Sequence, residues 1–138
     1  PSSFVKKIRE RVKKDNQNAI VIGEVWEDVS NKISYDKRRE YLQGKELDSA
    51  MNYPLKNAII NFVLNNNANA LSSTIKEQID HYPHKSLHAM MNMLSTHDTM
   101  RILSVLGGDK AENMSKTQMA NYKIPQEKIY LNIYNQYF

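Results

Sequence analysis

A chain of 138 residues has the size of one domain and can bury a core, and its 41% hydrophobic and 25% charged residues read as soluble and globular rather than disordered. Nineteen basic against fifteen acidic residues give a net charge of only +4, too slight a bias for a nucleic-acid surface. Without cysteine there is no disulfide, thiol nucleophile or cysteine-ligated metal, and no apolar stretch is long enough to span a membrane or resembles a signal peptide.

Ser2 or Ser3 can cap a first helix whose apolar positions Phe4, Val5, Ile8 and Val12 recur at three- and four-residue spacing. Lys6, Lys7, Arg9, Arg11, Lys13 and Lys14, interleaved with apolar residues and Glu10, form its solvated face. The polar run Asp15-Asn16-Gln17-Asn18 stops it. Next comes Ala19-Ile20-Val21-Ile22-Gly23-Glu24-Val25-Trp26, whose apolar, β-branched opening predicts a strand buried on both faces, as in a helix-covered parallel sheet. Ser34 through Tyr41 reads as a short helix, ended at Gly44 by a left-handed backbone position.

Leu47 to Tyr53 is a weaker strand candidate. Pro54 opens a helix with Leu55, Ala58, Ile59, Phe62 and Val63 along one face. Asn65-Asn66-Asn67 marks a surface bend, and a further helix over 69–82 carries Leu71, Ile75 and Ile79 before Pro83 ends it. Leu87 to Leu94 is a third strand candidate that its period leaves equally open to helix. Met90, Met91, Met93 and Met100 read as flexible core filler. Thr99 to Leu106 is a short helix stopped by Gly107-Gly108, and a polar loop then runs through Asn113. Ser115 caps another helical turn, and Gln126 to Phe138 is amphipathic.

Strands alternating with helices are the signature of βα units on a parallel sheet, so the fold class is α/β. Three strands leave both outer edges unpaired, and no internal boundary divides residues 1–138.

Glu24 stands out because a charged group at the end of a buried strand is costly unless it is paired or used. The C-terminal ends of parallel strands are also where α/β proteins place ligands. Gly23 allows close backbone approach, and Trp26 offers a flat apolar surface on which a sugar face can stack; the plainer alternative is a glutamate that caps the next loop or pairs with a lysine. His97-Asp98, after the third strand, has the same address, its alternative being Asp98 as a helix cap with His97 on the surface. For Asp48, capping or internal pairing suffices. His81, His84 and His88 with Asp80 lack a recognised zinc spacing and Pro83 breaks their register, so no metal site is expected. Gly107-Gly108-Asp109-Lys110 lacks the spacing of a phosphate loop.

Ile22-Gly23-Glu24-Val25-Trp26-Glu27-Asp28 resembles the fifth-strand motif of glycoside hydrolase family 13, the alpha-amylase family, and Ser95-Thr96-His97-Asp98-Thr99 resembles its seventh-strand motif. Between them, Ser30 to Tyr35 and Leu47 to Pro54 look like the neopullulanase and cyclomaltodextrinase branch. The resemblance implies a slice of a TIM (β/α)8 barrel, about three βα units corresponding to strands five to seven. It implies that Glu24 is the general acid/base and that Asp98 steadies the transition state through the sugar hydroxyls. His97 matches a substrate-binding histidine, Trp26 lines the leaving-group side, and Asn52 and Tyr53 sit at the exit of the sixth strand, within reach of substrate. Met100 stands where relatives of this branch often have proline.

The retaining mechanism also needs a nucleophilic carboxylate about 5 Å from the acid. The family delivers it from the fourth strand, and neither Asp15 nor Asp36 can stand in for it. A chain that opens at Pro1, directly into a helix, is expected to be a piece of a longer protein, inactive alone and prone to self-associate through its sheet edges. The implied partner is an α-glucan or maltooligosaccharide, with neither nucleic acid nor membrane involved. No cofactor is expected on this piece, although calcium belongs to the expectations for the whole protein, and the lack of cysteine leans toward a cytoplasmic over a secreted location. A second reading, of another class, is a non-catalytic carbohydrate-binding or interaction module that keeps these motifs as scaffold.

Overall fold

The computed structural model describes residues 1–107 and 115–121. It divides into two units: Pro1–Leu55 with Ser73–Met93, and Lys56–Ser72 with the chain from Leu94 onward. Among the described residues no helix is long and apolar enough to cross a membrane.

The first unit opens with α1 (Ser2–Asp15), where Pro1, and neither serine, occupies the cap position, without a side-chain hydrogen bond. Lys13 and Lys14 lie in the last turn, where cations suit the helix dipole. Extended backbone at Asn16 ends the helix, and its side-chain oxygen accepts the Asn18 N–H.

β1 (Ile22–Gly23) pairs in parallel with β4 (Ser49–Ala50), Ile22 opposite Ser49 and Gly23 opposite Ala50. A single parallel bridge between Met51 and Met91 extends the array. The third expected strand is therefore reduced to Met91, because Leu87 belongs to α4 (His84–His88) and the chain straightens only after Ala89. Burial alternates through β1 and the residues flanking it: Val21, Gly23 and Val25 are half-buried, whereas Ile20 (59% exposed), Ile22 and Trp26 are exposed. Where the sequence predicts cover on both faces, the described residues of this chain cover one. The core that β1 joins consists of Val29, Leu42, Ala50 and Tyr82, with Val25, Tyr41, Leu87 and Met90 packed against it. The Tyr82 hydroxyl accepts the Val29 N–H at 3.3 Å. Burial, then the nearby Asp28 charge, pushes this phenol above its ordinary value.

The helix expected over Ser34–Tyr41 is instead a hairpin. β2 (Ile33–Ser34) and β3 (Lys37–Arg38) pair antiparallel, Ile33 opposite Arg38, around a two-residue turn. Tyr35 and Asp36 there have φ of 54° and 56°, as a type I′ turn requires. The segment has no apolar stripe to bury, and Tyr35 is 91% exposed.

α2 (Tyr53–Asn65) begins one residue before Pro54, with the Asn52 side-chain oxygen accepting the Leu55 N–H at 3.1 Å. The asparagine run acts twice. Asn66, at φ 53°, turns the chain out of α2, and the Asn67 side chain accepts the Ala70 N–H in the first turn of α3 (Ala68–His81).

In the second unit, α5 (Ile102–Leu106) is shorter than the Thr99–Leu106 expected and ends at Gly107. Ser115 caps α6 (Lys116–Asn121) as expected, and the cap is reciprocal: its hydroxyl accepts the Gln118 N–H, and the Gln118 side chain accepts the Ser115 N–H. The polar loop after Gly107 and the amphipathic segment Gln126–Phe138 lie outside the described residues.

Asp48 binds the first unit together. Arg9 Nη1 reaches its Oδ1 at 2.6 Å, while Lys13 Nζ and the Val21 N–H reach its Oδ2 at 3.0 and 2.8 Å. Burial alone would raise this carboxyl, but the Val21 N–H, Lys13 and Arg9 outweigh it and hold the group below the usual carboxylate range. A lowered folded value stabilises the fold fully above the unfolded carboxylate's pKa of about 3.9 and loses that contribution as pH falls through the folded value. Asp48→Asn is expected to cost about 1.5–3 kcal/mol in urea unfolding at neutral pH. The difference from the parent should shrink as the titration is repeated at increasingly acidic pH.

Candidate functional site

Glu24 follows β1 directly, at the C-terminal end of a parallel strand, and its side chain is solvent-exposed. Trp26 lies two residues further along. Both meet Tyr53, the first residue of α2, which is 1% exposed. The Tyr53 hydroxyl donates to Glu24 Oε1 at 2.9 Å. Its ring stacks on Trp26, with centroids 4.5 Å apart and planes 12° from parallel. A buried phenol thus holds the carboxylate by one oxygen and supports the indole, which stays 50% exposed.

Asn52, next to Tyr53, is 2% exposed. Its amide nitrogen donates to Asn92 Oδ1 at 2.9 Å and Gln78 Oε1 at 3.2 Å, and its oxygen accepts from Gln78 Nε2 at 2.7 Å. Together with the Leu55 N–H, these bonds occupy the side chain in ordering the exit of β4 and the start of α2. Gln78 and Asn92 were not singled out from the sequence. Both are ordinary polar residues whose burial or partner appears only when α3 and the Met91 bridge come together.

A second carboxylate, Glu27, lies within the same motif. Lys32 reaches it at 2.6 Å, and this hydrogen bond is the main reason its carboxyl is held below the usual range. Glu27 is therefore paired with a cation, whereas Oε1 of Glu24 accepts from a neutral hydroxyl.

His97 and Asp98 belong to the second unit. Both are exposed, and His97 Nε2 lies 3.2 Å from Asp98 Oδ2. Asp98 does not cap α5, whose cap position is Arg101. A turn built on Thr96 and Thr99 shapes this segment instead: the Thr99 hydroxyl accepts the Thr96 N–H at 2.8 Å, and the Thr96 hydroxyl accepts the Asp98 N–H at 3.3 Å. The structure thus joins Glu24 and Trp26 through Tyr53, ties the neighbouring Asn52 to Gln78 and Asn92, and pairs His97 with Asp98. Among the described residues no group of three or more histidine, aspartate or glutamate side chains is arranged to hold a metal.

Glu24 thus stands at the C-terminal end of a parallel strand, the end at which α/β proteins place ligands. A family model described as the alpha-amylase catalytic domain matches residues 1–135. A cyclomaltodextrinase from a Bacillus species is 35% identical over 109 residues, covering 78% of this chain and 18% of that protein. Neopullulanase 2 of Thermoactinomyces vulgaris is 30% identical over 112 residues, covering 80% of this chain and 18% of that protein. Among solved structures, the ligand-free cyclic alpha-maltosyl-(1→6)-maltose hydrolase from Arthrobacter globiformis matches with a TM-score of 0.67 at 27% identity, over 79% of this chain and 23% of that one. The chain belongs to the alpha-amylase family, in its neopullulanase and cyclomaltodextrinase branch, and spans only 17–18% of the length of those first curated relatives.

The stack on Tyr53 has a measurable energy. A double-mutant cycle of Trp26→Ala and Tyr53→Leu, read by urea unfolding, is expected to return a coupling of about 0.5–1.5 kcal/mol. Additive single effects would show that the two rings do not support each other.

Proposed function

We propose that this chain supplies the general acid/base of a retaining glycoside hydrolase acting on α-glucans or maltooligosaccharides. The observation that carries the reading is the contact of the buried Tyr53 hydroxyl with Glu24 at the end of a parallel strand. Family membership, with a cyclomaltodextrinase and a neopullulanase as relatives, supports the substrate class.

In this reading β1, β4 and the Met91 segment correspond to strands five, six and seven of a (β/α)8 barrel. Tyr53 fixes one oxygen of Glu24, leaving the other to carry the proton that goes to the glycosidic oxygen as the bond breaks. Glu24 then takes a proton from the incoming water in the second half of the reaction. The nucleophilic carboxylate comes from residues other than those of this chain. For Asp98 and His97, in the second unit, the family resemblance supports roles toward sugar hydroxyls. Trp26 offers its free face to the leaving-group sugar. Asn52 acts through Tyr53, holding the start of α2 rather than touching substrate.

Glu24→Gln in the whole protein is expected to lower kcat on maltooligosaccharides by about 10²–10⁴-fold. Glu27→Gln should stay within a few-fold of the parent. A substrate whose leaving group departs without protonation should recover much of the loss in Glu24→Gln, because the acid is then dispensable for bond cleavage. Undiminished turnover by Glu24→Gln would overturn the assignment. Tight maltooligosaccharide binding without turnover by the unaltered protein would favour a binding module instead.

A further inference from the structure

α4 places two imidazoles against each other away from the candidate sugar site. His84 and His88, one helical turn apart, have their Nε2 atoms 3.1 Å apart, with ring centroids at 4.3 Å and planes 60° apart. Both side chains are exposed. The sequence counted against them because Pro83 breaks the register with His81, yet Pro83 sits at the cap of α4 and both remaining histidines fall inside the helix.

The helix that carries them is anchored. Ser86, between the two histidines, is 6% exposed, its carbonyl accepts the Ser49 hydroxyl at 2.7 Å, and Leu87 packs on the core. The backbone that sets the spacing of the two rings is thereby tied to β4.

We propose that His84 and His88 form a bidentate site for a divalent first-row transition-metal ion such as Zn²⁺, Ni²⁺ or Cu²⁺. Two nitrogens 3.1 Å apart, each about 2.0–2.1 Å from a shared ion, subtend an angle of about 98° at it. That lies between the octahedral and tetrahedral values, so the spacing of the two nitrogens suits cis binding, with the exposed rings turning their lone pairs onto the ion. Imidazole suits these ions, whereas Mg²⁺ and Ca²⁺ demand oxygen ligands. No third protein ligand completes the set among the described residues, so water fills the remaining positions. Since α4 precedes the Met91 bridge and Glu24 follows β1, the pair lies at the opposite end of the parallel strands from Glu24. A bound ion would staple α4 and stabilise the fold by mass action, without entering sugar chemistry.

Titration of the full chain with ZnCl₂ at neutral pH, followed by calorimetry and by thermal unfolding, tests the site. One equivalent is expected to bind and raise the melting temperature, while MgCl₂ does neither. His84→Ala and His88→Ala, each at an exposed helical position where alanine is well tolerated, should each weaken Zn²⁺ binding by about tenfold or more. His88→Gln, which keeps a polar side chain, should do the same, whereas His81→Ala should bind within about twofold of the parent. Glu24→Gln should leave the Zn²⁺ affinity unchanged, which separates this site from the sugar-cleaving reading. Parental affinity in either His84→Ala or His88→Ala, or equal loss in His81→Ala, would overturn the proposal.

Discussion

The carboxylate of Asp48 lies where three stretches of chain converge, and the geometry of the first unit depends on it. It receives two cations from α1 and the N–H of Val21 just ahead of β1, while its own backbone leads into β4. Arg9 extends the tie with a second bond, from Nε to the Gly44 carbonyl, and Lys13 with another to the Ala19 carbonyl at 2.6 Å. Strands of two residues contribute little ladder of their own. An anion gripped from three directions sets their register instead, with hydrogen bonds to charged partners that are stronger than those of a neutral ladder.

Register is what the candidate site needs. With Gly23 opposite Ala50, the next residue on each strand emerges at the same level, so Glu24 comes within reach of Tyr53 two residues after Met51. Gly23 contributes by its smallness: a Cβ there would collide with the side chain of Leu47, itself almost wholly buried. A larger residue would require the buried Leu47 side chain to give way. Asn52 then locks the second strand's exit by joining the first turn of α2, α3 and the Met91 segment through one amide.

The class of fold, the first two strand positions, α1 to α3 and the Ser115 cap were legible because each has a local cause: apolar spacing, a proline, an asparagine, a Ser-x-x-Gln. The hairpin at Ile33–Arg38 was not, because its turn uses Tyr35 at positive φ, where sequence signals favour glycine or asparagine. The third strand was misjudged in extent because helix and strand share the same methionine-rich composition, and only pairing with Met51 decides where one ends. At the candidate site, the position of Glu24 directly after a parallel strand was legible from the apolar run before it. That Tyr53 meets it was not, since an aromatic at a helix start is as easily a surface residue. Its burial follows from packing that no short segment encodes.

The outward face of β1 points to the setting in which this strand works. Ile20 and Ile22 are large and β-branched, and both are exposed, like Glu24 and Trp26 after them. A strand written for one-sided cover would alternate with polar residues, and 19–22 does not. In the proposed barrel that face turns inward, where layers of branched side chains fill the interior and the residues just beyond them line the mouth. Ile20 and Ile22 would then belong to the packed layers, and Glu24, the next residue on that face, would be the first to rise above them. The apolar run and the carboxylate are, on this view, one feature: the interior packing stops at Ile22, and the chemistry begins where it stops.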